Sequence, residues 1–231
     1  MRRGLWSTLE GRLQCTEQWQ FRLKRSLQRL QEVPVTSVSA KLEQYATPPA
    51  LAAKWITCLR LLGDIDETTV VQDIGCGAGT LGLAAVLAGA RRAILIDCCQ
   101  ASCEAAQQSA KVLGLEDRVE IRKEFVNQTW TVDSACSMIL TNPPFGHQTF
   151  CADRVILDAL ANAPESVRSC HVLHARDARH VYGMFRDARC WQSARVLNDV
   201  PLTLPKRLVH HRSKSMQTYV HCWRMVRQPP D

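Results

Sequence analysis

The chain has 231 residues, of which 46% are hydrophobic and 22% are charged, so it has enough apolar material for one sizeable globular core. This length favours a single α/β domain with short extensions over two domains. No uninterrupted apolar run reaches about 18 residues, which excludes a membrane-spanning helix. The formal net charge is +7, and the excess lies in residues 1–40 and 201–231. Such ends are expected to flank a polyanion, although charge alone does not distinguish this from a surface that only aids solubility.

The 11 cysteines do not form a metal-binding or disulfide pattern. The sequence contains no Cys-x-x-Cys pair, and its densest cluster is Cys98, Cys99 and Cys103. The first residues lack the apolar core of a secretory signal, and Glu10 and Glu17 argue against a mitochondrial presequence. We therefore expect reduced thiols in an intracellular protein of the nucleus, nucleolus or cytoplasm, with no metal site.

Leucines at three- and four-residue spacings predict a helix over residues 5–31, within a basic helical N-terminal arm over residues 1–40. From residue 41 to residue 231, the pattern alternates between strands and helices, which predicts an α/β fold with a Rossmann-like, seven-stranded, mostly parallel sheet and helices on both faces. A cofactor is expected at the carboxyl ends of the strands. The predicted strands cover residues 70–73, 93–97, 119–124, 138–141, 171–174, 194–199 and 218–226. The predicted helices cover residues 80–88, 102–113, 153–163 and 176–190.

A glycine-rich turn, Asp73-Ile74-Gly75-Cys76-Gly77-Ala78-Gly79, follows the first predicted strand of the sheet. Its Gly-x-Gly-x-Gly spacing favours S-adenosylmethionine (SAM) over a dinucleotide, and Asp73 offers an acceptor for a ligand's ammonium group. Asp97 ends the second strand, where its carboxylate is expected to bind both ribose hydroxyls; the alternative role is a helix N-cap. Glu124 and Phe125, after the third strand, are predicted to border the cofactor's adenine ring.

The fourth predicted strand runs into Asn142-Pro143-Pro144-Phe145. An exocyclic amino nitrogen of a base is a poor nucleophile because its lone pair is delocalised into the ring. A hydrogen-bond acceptor on each N–H group pulls the nitrogen toward tetrahedral geometry. The side-chain oxygen of Asn142 and the carbonyl of Pro143 are suited to this role, because the two prolines fix the backbone. Phe145 offers a stacking face for a base that is single-stranded or flipped out of a duplex. The alternative is a rigid loop that only closes a strand.

These motifs carry a family resemblance. Residues 43–48, Glu-Gln-Tyr-Ala-Thr-Pro, together with the glycine turn and residues 142–146, Asn-Pro-Pro-Phe-Gly, resemble the eukaryotic methyltransferase-like protein five family. The similarity runs from about residue 41 to residue 226. Enzymes of that family make N6-methyladenosine in small-subunit ribosomal RNA. The resemblance implies a SAM-dependent methyltransferase fold and a heterodimer with a small zinc-binding methyltransferase activator protein.

The resemblance also implies roles for individual residues. Gln44 and Thr47 would line the SAM pocket from the N-terminal side. Asp97 would bind the ribose, and Asn142 would span the cofactor and the target amino group. The remaining implied cofactor contacts are Gly75, Ala78, Thr80, Glu124 and Phe125.

Two other acceptors use a similar loop. Enzymes that methylate a glutamine amide of a translation factor usually carry tyrosine at the position of Phe145, and they have a helical N-terminal domain for which this chain is too short. Guanine-N2 transfer on ribosomal RNA is the other option, and a non-enzymatic RNA-binding protein is disfavoured because both halves of the site look intact. The basic residues of the N-terminal arm, Arg22, Lys24, Arg25 and Arg29, fit either phosphate contacts or a solvated helix face.

Overall fold

The computed structural model describes residues 3–33, 45–145, 153–187, 190–205 and 215–228. The helices are α1 (Arg3–Leu27), α2 (Pro49–Leu61), α3 (Thr80–Leu87), α4 (Gln100–Leu113), α5 (Arg154–Ala161) and α6 (Arg179–Asp187). The strands are β1 (Val70–Ile74), β2 (Arg92–Asp97), β3 (Val119–Lys123), β4 (Met138–Thr141), β5 (Ser169–Ala175), β6 (Trp191–Pro205) and β7 (Ser215–Arg227). Among these residues, a helix with the length and apolarity needed to span a membrane is not found.

The seven strands form one sheet in the order β3-β2-β1-β4-β5-β7-β6. Strands β1 to β5 are mutually parallel, whereas β7 is antiparallel to both β5 and β6. Each residue of β1 and of β4 is buried, as expected for parallel strands covered on both faces. The predicted seven-stranded, mostly parallel sheet is confirmed.

Helices cover both faces of this sheet. One core cluster joins α2, α3 and α4 to the sheet, and it includes the fully buried side chain of Trp55. A second cluster joins α5 and α6 to β5 and β7. Leu23 and Leu27 of α1 are buried in the first cluster, so the C-terminal part of α1 packs on the domain.

The sequence-based prediction misses one helix and misplaces the ends of several other elements. Helix α2 was not expected; it begins at Pro49, whose fixed φ angle suits the first helical position. The last two strands are longer than predicted because β6 and β7 pair with each other along their whole length. Helix α6 begins at Arg179 instead of residue 176, because the N–H of Arg176 still donates to the Tyr219 carbonyl of β7.

Gly82 allows α3 to approach β1 and β2 closely. A Cβ atom at this position would overlap the Leu95 side chain and lie 3.1 Å from the Cβ of Asp73. We expect Gly82→Ala to lower the free energy of unfolding by about 1–3 kcal/mol, the usual cost of overpacking a core. Urea denaturation measures this change.

Gly183→Ala in α6 is the matched control, because a Cβ there meets nothing within 4 Å. It is expected to be neutral or to stabilise the protein by up to about 1 kcal/mol, since alanine favours a helix interior over glycine. A Gly82→Ala variant as stable as the wild type would contradict this packing.

Candidate active site

The glycine turn and the Asn-Pro-Pro-Phe loop leave the same edge of the sheet from neighbouring strands. Ile74, the last residue of β1, lies opposite Thr141, the last residue of β4, in a parallel register. The Thr141 hydroxyl donates to the Ile74 carbonyl at 2.8 Å and fixes the two strand ends to each other. Gly75 and Asn142 therefore begin their loops side by side.

The glycine turn presents an open backbone surface. Gly75 and Gly77 have φ angles of 71° and 55°, a region that residues with a Cβ rarely adopt. The N–H groups of Gly75 and Cys76 donate to the Ile96 carbonyl at 2.8 and 2.9 Å, which anchors the turn to β2. A Cβ added to either glycine would point into space free of protein atoms. This is the cradle that a nucleoside cofactor needs in order to approach the backbone.

Asp97 links β2 to both neighbouring loops. Its Oδ2 accepts the N–H of Gly77 at 2.9 Å, and its Oδ1 accepts the N–H of Cys99 at 2.9 Å. Burial raises the pKa of this carboxyl group, although the N–H donors of Cys99 and Gly77 oppose the rise. Because Cys99 directly precedes α4, its contact with Asp97 resembles the helix N-cap that was the alternative role for this carboxylate. Ribose binding by Asp97 stays a prediction.

The structure places the Asp73 carboxylate beneath α3, and not on the open surface of the turn. The residue is 1% exposed, and its Oδ2 accepts the N–H of Gly82 at 2.8 Å. Its predicted contact with a ligand's ammonium group stays a prediction, and this geometry offers no direct support for it.

Asp73 should make the stability of the cofactor-free protein depend on pH. Burial raises its pKa to about 7, the nearby Asp97 carboxyl adds to the rise, and the Gly82 N–H opposes it. The folded protein thus holds this proton more tightly than the unfolded chain, where the pKa is near 3.8. The stability contribution of the protonated group is present below about pH 4 and is lost as the pH rises to about 7.

Asp73→Asn should remove this loss, because the amide oxygen still accepts from Gly82 and carries no charge. Thermal unfolding at about pH 5 and about pH 8 measures the effect, with each pKa unit corresponding to about 1.4 kcal/mol. Equal pH dependence of the variant and the wild type would show that Asp73 does not have the raised pKa.

Asn142 is held in one orientation by the segment before α2. Its Nδ2 donates to the Tyr45 carbonyl at 3.0 Å and to the Thr47 hydroxyl oxygen at 3.1 Å. A carbonyl oxygen only accepts, so the amide nitrogen must face Tyr45. Because Nδ2 is directed to these two acceptors, the side-chain oxygen of Asn142 is left for another donor.

The rest of the loop continues across the end of β5. Pro143 is buried, whereas Pro144 and Phe145 are half-buried. The Phe145 ring packs against the imidazole of His174, with ring centroids 5.1 Å apart and an interplanar angle of 33°. His174 itself is buried, with 1% exposure.

The other residues predicted to contact the cofactor differ in their burial and in their contacts. The Glu124 carboxylate accepts from the Trp130 indole N–H at 2.7 Å, and the neighbouring Phe125 is 67% exposed at the end of β3. Ala78 and Thr80 are half-buried at the start of α3. Gln44 lies outside the described residues.

Sequence reasoning missed a group of three polar side chains beside Phe145. The donor atoms of Asp153, His174 and His180 lie within 4.8 Å of one another. Nothing in their spacing resembles a known motif, because they come from three separate elements. The sequence carries no signal that would have joined them, because the missing side-chain cap between Asp153 and α5 is visible only in the structure.

Comparison with known proteins identifies the fold. Residues 58–173, half of the chain, match the family model of the methyltransferase small domain. The uncharacterized protein MJ0284 of Methanocaldococcus jannaschii is 34% identical over 60% of this chain, and the match spans 65% of that protein. The rRNA N(6)-adenosine-methyltransferase Mettl5 of Drosophila melanogaster is 26% identical over 79% of this chain and 85% of its own length. The structure of PH1948 from Pyrococcus horikoshii superposes with a TM-score of 0.75 at 22% identity, covering 90% of this chain and 96% of that protein.

Proposed function

This chain belongs to the methyltransferase small domain family, and we propose that it methylates N6 of an adenosine in small-subunit ribosomal RNA. The family and the fold make it a SAM-dependent methyltransferase. The similarity to the Drosophila enzyme, which covers 79% of this chain, supports ribosomal RNA as the acceptor.

The orientation of Asn142 carries the proposal. Its Nδ2 donates to Tyr45 and Thr47, so its oxygen is available to accept one N–H of a planar amino group. The carbonyl of Pro143 accepts the other N–H in this proposal. Two acceptors draw the nitrogen lone pair out of conjugation with the base and direct it at the methyl donor. Alignment of the reacting atoms, not a strong base, supplies most of the rate enhancement.

The glycine turn provides the position for the donor. SAM supplies an electrophilic methyl group on a sulfonium sulfur. The free space above Gly75 and Gly77 fits a cofactor laid on the backbone, and Asp97 stands at the end of the neighbouring strand to receive the ribose. Because Gly75 and Asn142 leave adjacent strand ends, a donor on the turn lies beside an acceptor on the loop.

A projecting ribbon favours RNA over a protein side chain. Residues 215–219 of β7 pair with residues 201–205 of β6, beyond the point where Ala175 of β5 pairs with Val220. The ribbon therefore extends past the same edge of the sheet from which the Asn-Pro-Pro-Phe loop emerges. Tyr219 is 42% exposed near its base, with the Arg176 guanidinium 5.1 Å from the ring centroid. An exposed aromatic ring beside arginine suits nucleotides that flank the target base.

The proposed partner is a small zinc-binding activator protein that covers apolar surface. Leu61 and Leu62 at the end of α2 are 69% and 50% exposed, and Phe21 of α1 is 60% exposed, so apolar surface is present. Activity and size-exclusion profiles of the chain, alone and co-purified with a candidate activator, test the need for it. An isolated chain that is monodisperse and fully active would contradict the proposal.

Acceptor identification tests the function. The chain, with and without the activator, is incubated with methyl-labelled SAM and either total RNA or total protein. The products are then digested to nucleosides or amino acids. We expect the label in RNA, as N6-methyladenosine. Label on glutamine, or on guanine N2, would replace this acceptor with one of the two alternatives described above.

A further inference from the structure

Asp153 occupies an unusual environment for a residue at the start of a helix. An aspartate directly before a helix usually caps the helix with its own side chain, but Asp153 makes no such bond to α5. Its Oδ2 instead accepts from the Nε2 atoms of His174, at 2.9 Å, and His180, at 2.5 Å. Asp153 is 4% exposed, so its carboxylate is buried and hydrogen-bonded to two imidazoles.

The backbone contact of His174 favours a hydrogen-bond network over a metal centre. The Ala175 N–H donates to the Nδ1 atom of His174 at 2.9 Å, so Nδ1 carries no proton. The proton of the neutral ring must then lie on Nε2, where it is donated to Asp153. A metal on Nε2 would require a proton on Nδ1, and that proton would collide with the Ala175 N–H.

The charge state of Asp153 fits the same arrangement. Burial on its own would raise the pKa of the carboxyl group, but the hydrogen bonds that His174 and His180 donate to it outweigh burial and lower the pKa to about 2. The carboxylate is therefore an acceptor at any working pH. Because charge-assisted hydrogen bonds are stronger than neutral ones, Asp153 holds the His174 ring firmly in place.

The face of this ring meets the substrate loop. The His174 and Phe145 rings have centroids 5.1 Å apart, and Phe145 is the side chain proposed to stack on the target base. We propose that His174 is a positioning residue, anchored by Asp153, that supports the Phe145 ring and so fixes the acceptor base relative to Asn142. This inference rests on the proposed function and deepens it.

Two substitutions separate the parts of this support. His174→Gln retains a donor for Asp153 but removes the flat ring beneath Phe145. His174→Phe retains a ring but removes the bond to Asp153. We expect each to lower kcat/KM for the acceptor by about tenfold, as for the loss of one stacking platform, with the Kd for SAM unchanged. If one variant does not fold, the other still tests the proposal.

His171→Gln is the matched control. His171 is a fully buried histidine of the same strand, but three residues away, and it lies on the opposite face of the sheet from His174. Its Nε2 is 3.0 Å from the Ser169 hydroxyl oxygen and 3.8 Å from Asp64 Oδ2. A general weakening of the sheet would affect all three variants, whereas loss of support for Phe145 would affect only those at His174.

A second readout does not depend on the acceptor. The chain has five phenylalanines, so protein containing fluorophenylalanine gives few 19F resonances, and Phe145→Leu identifies the one from residue 145. We expect that resonance to shift or broaden in both His174 variants and to stay unchanged in His171→Gln. If adenosine is not the acceptor, the proposed function fails, but this spectral test of ring support still applies.

An unchanged Phe145 resonance, with wild-type kcat/KM in both His174 variants, would overturn the proposal. Divalent metal bound stoichiometrically to the isolated wild-type chain, and absent from an Asp153→Asn variant, would also overturn it, because it would make the three side chains a metal site.

Discussion

Asn142→Ala should lower kcat for methyl transfer on the order of 10²–10³-fold, the usual effect of removing one preorganised hydrogen-bonding group from an active site. The amide oxygen is the acceptor proposed to hold the amino group. The Kd for SAM should stay within about twofold of the wild type, because the glycine turn and Asp97 are intact. Single-turnover kinetics with saturating SAM, together with SAM titration by calorimetry, separate the two quantities.

Asn162→Ala is the control for this substitution. Asn162 is exposed and follows α5, and the strand after it runs from Ser169 towards the site, so it lies near the opposite edge of the sheet. Its side-chain amide donates to the Asp158 carbonyl one turn earlier. Full activity of Asn142→Ala would show that the loop merely closes a strand.

Asp97→Ala should weaken SAM binding by at least about 100-fold. Two ribose hydroxyls would lose a charged acceptor, and hydrogen bonds to charged groups contribute about 1.5–3 kcal/mol each. The substitution also frees the N–H groups of Gly77 and Cys99, which further loosens the turn. Calorimetric titration with SAM measures the affinity directly.

Asp158→Ala, which removes an exposed carboxylate from α5, serves as the comparison. If Asp97→Ala binds SAM as tightly as Asp158→Ala does, the carboxylate has only the capping role and does not bind the ribose.

Much of the sheet can be predicted from the sequence because its central strands are short apolar segments bounded by clear turns. Helix α2 is not predicted, because its sequence lacks a comparably clear pattern. Seven of its residues are buried, from Leu51 to Leu59, so it lacks the contrast between an apolar and a polar face that marks an amphipathic helix. The full lengths of β6 and β7 cannot be predicted from the sequence either, because their outer residues pair with each other and do not need to pack on the core.

The candidate site also has parts that the sequence predicts and parts that it does not. The glycine turn and the Asn-Pro-Pro-Phe loop are contiguous segments, and their residue types indicate their chemistry. The orientation of Asn142 depends on the Tyr45 carbonyl, and a backbone group leaves no mark in a sequence. The support of Phe145 depends on Asp153 and His174, which only the fold brings together.

The most direct test of the central claim is the chemical form of the transferred methyl group. Purified small-subunit ribosomal RNA that lacks the modification is incubated with SAM carrying a deuterated methyl group and with either the wild-type chain or the Asn142→Ala variant, each co-purified with the candidate activator. The RNA is then digested and its nucleosides are separated by mass spectrometry. Deuterated N6-methyladenosine from the wild type, and its near absence with the variant, is the predicted result. A deuterated methyl group on any other nucleoside, or equal N6-methyladenosine from both proteins, would contradict the account.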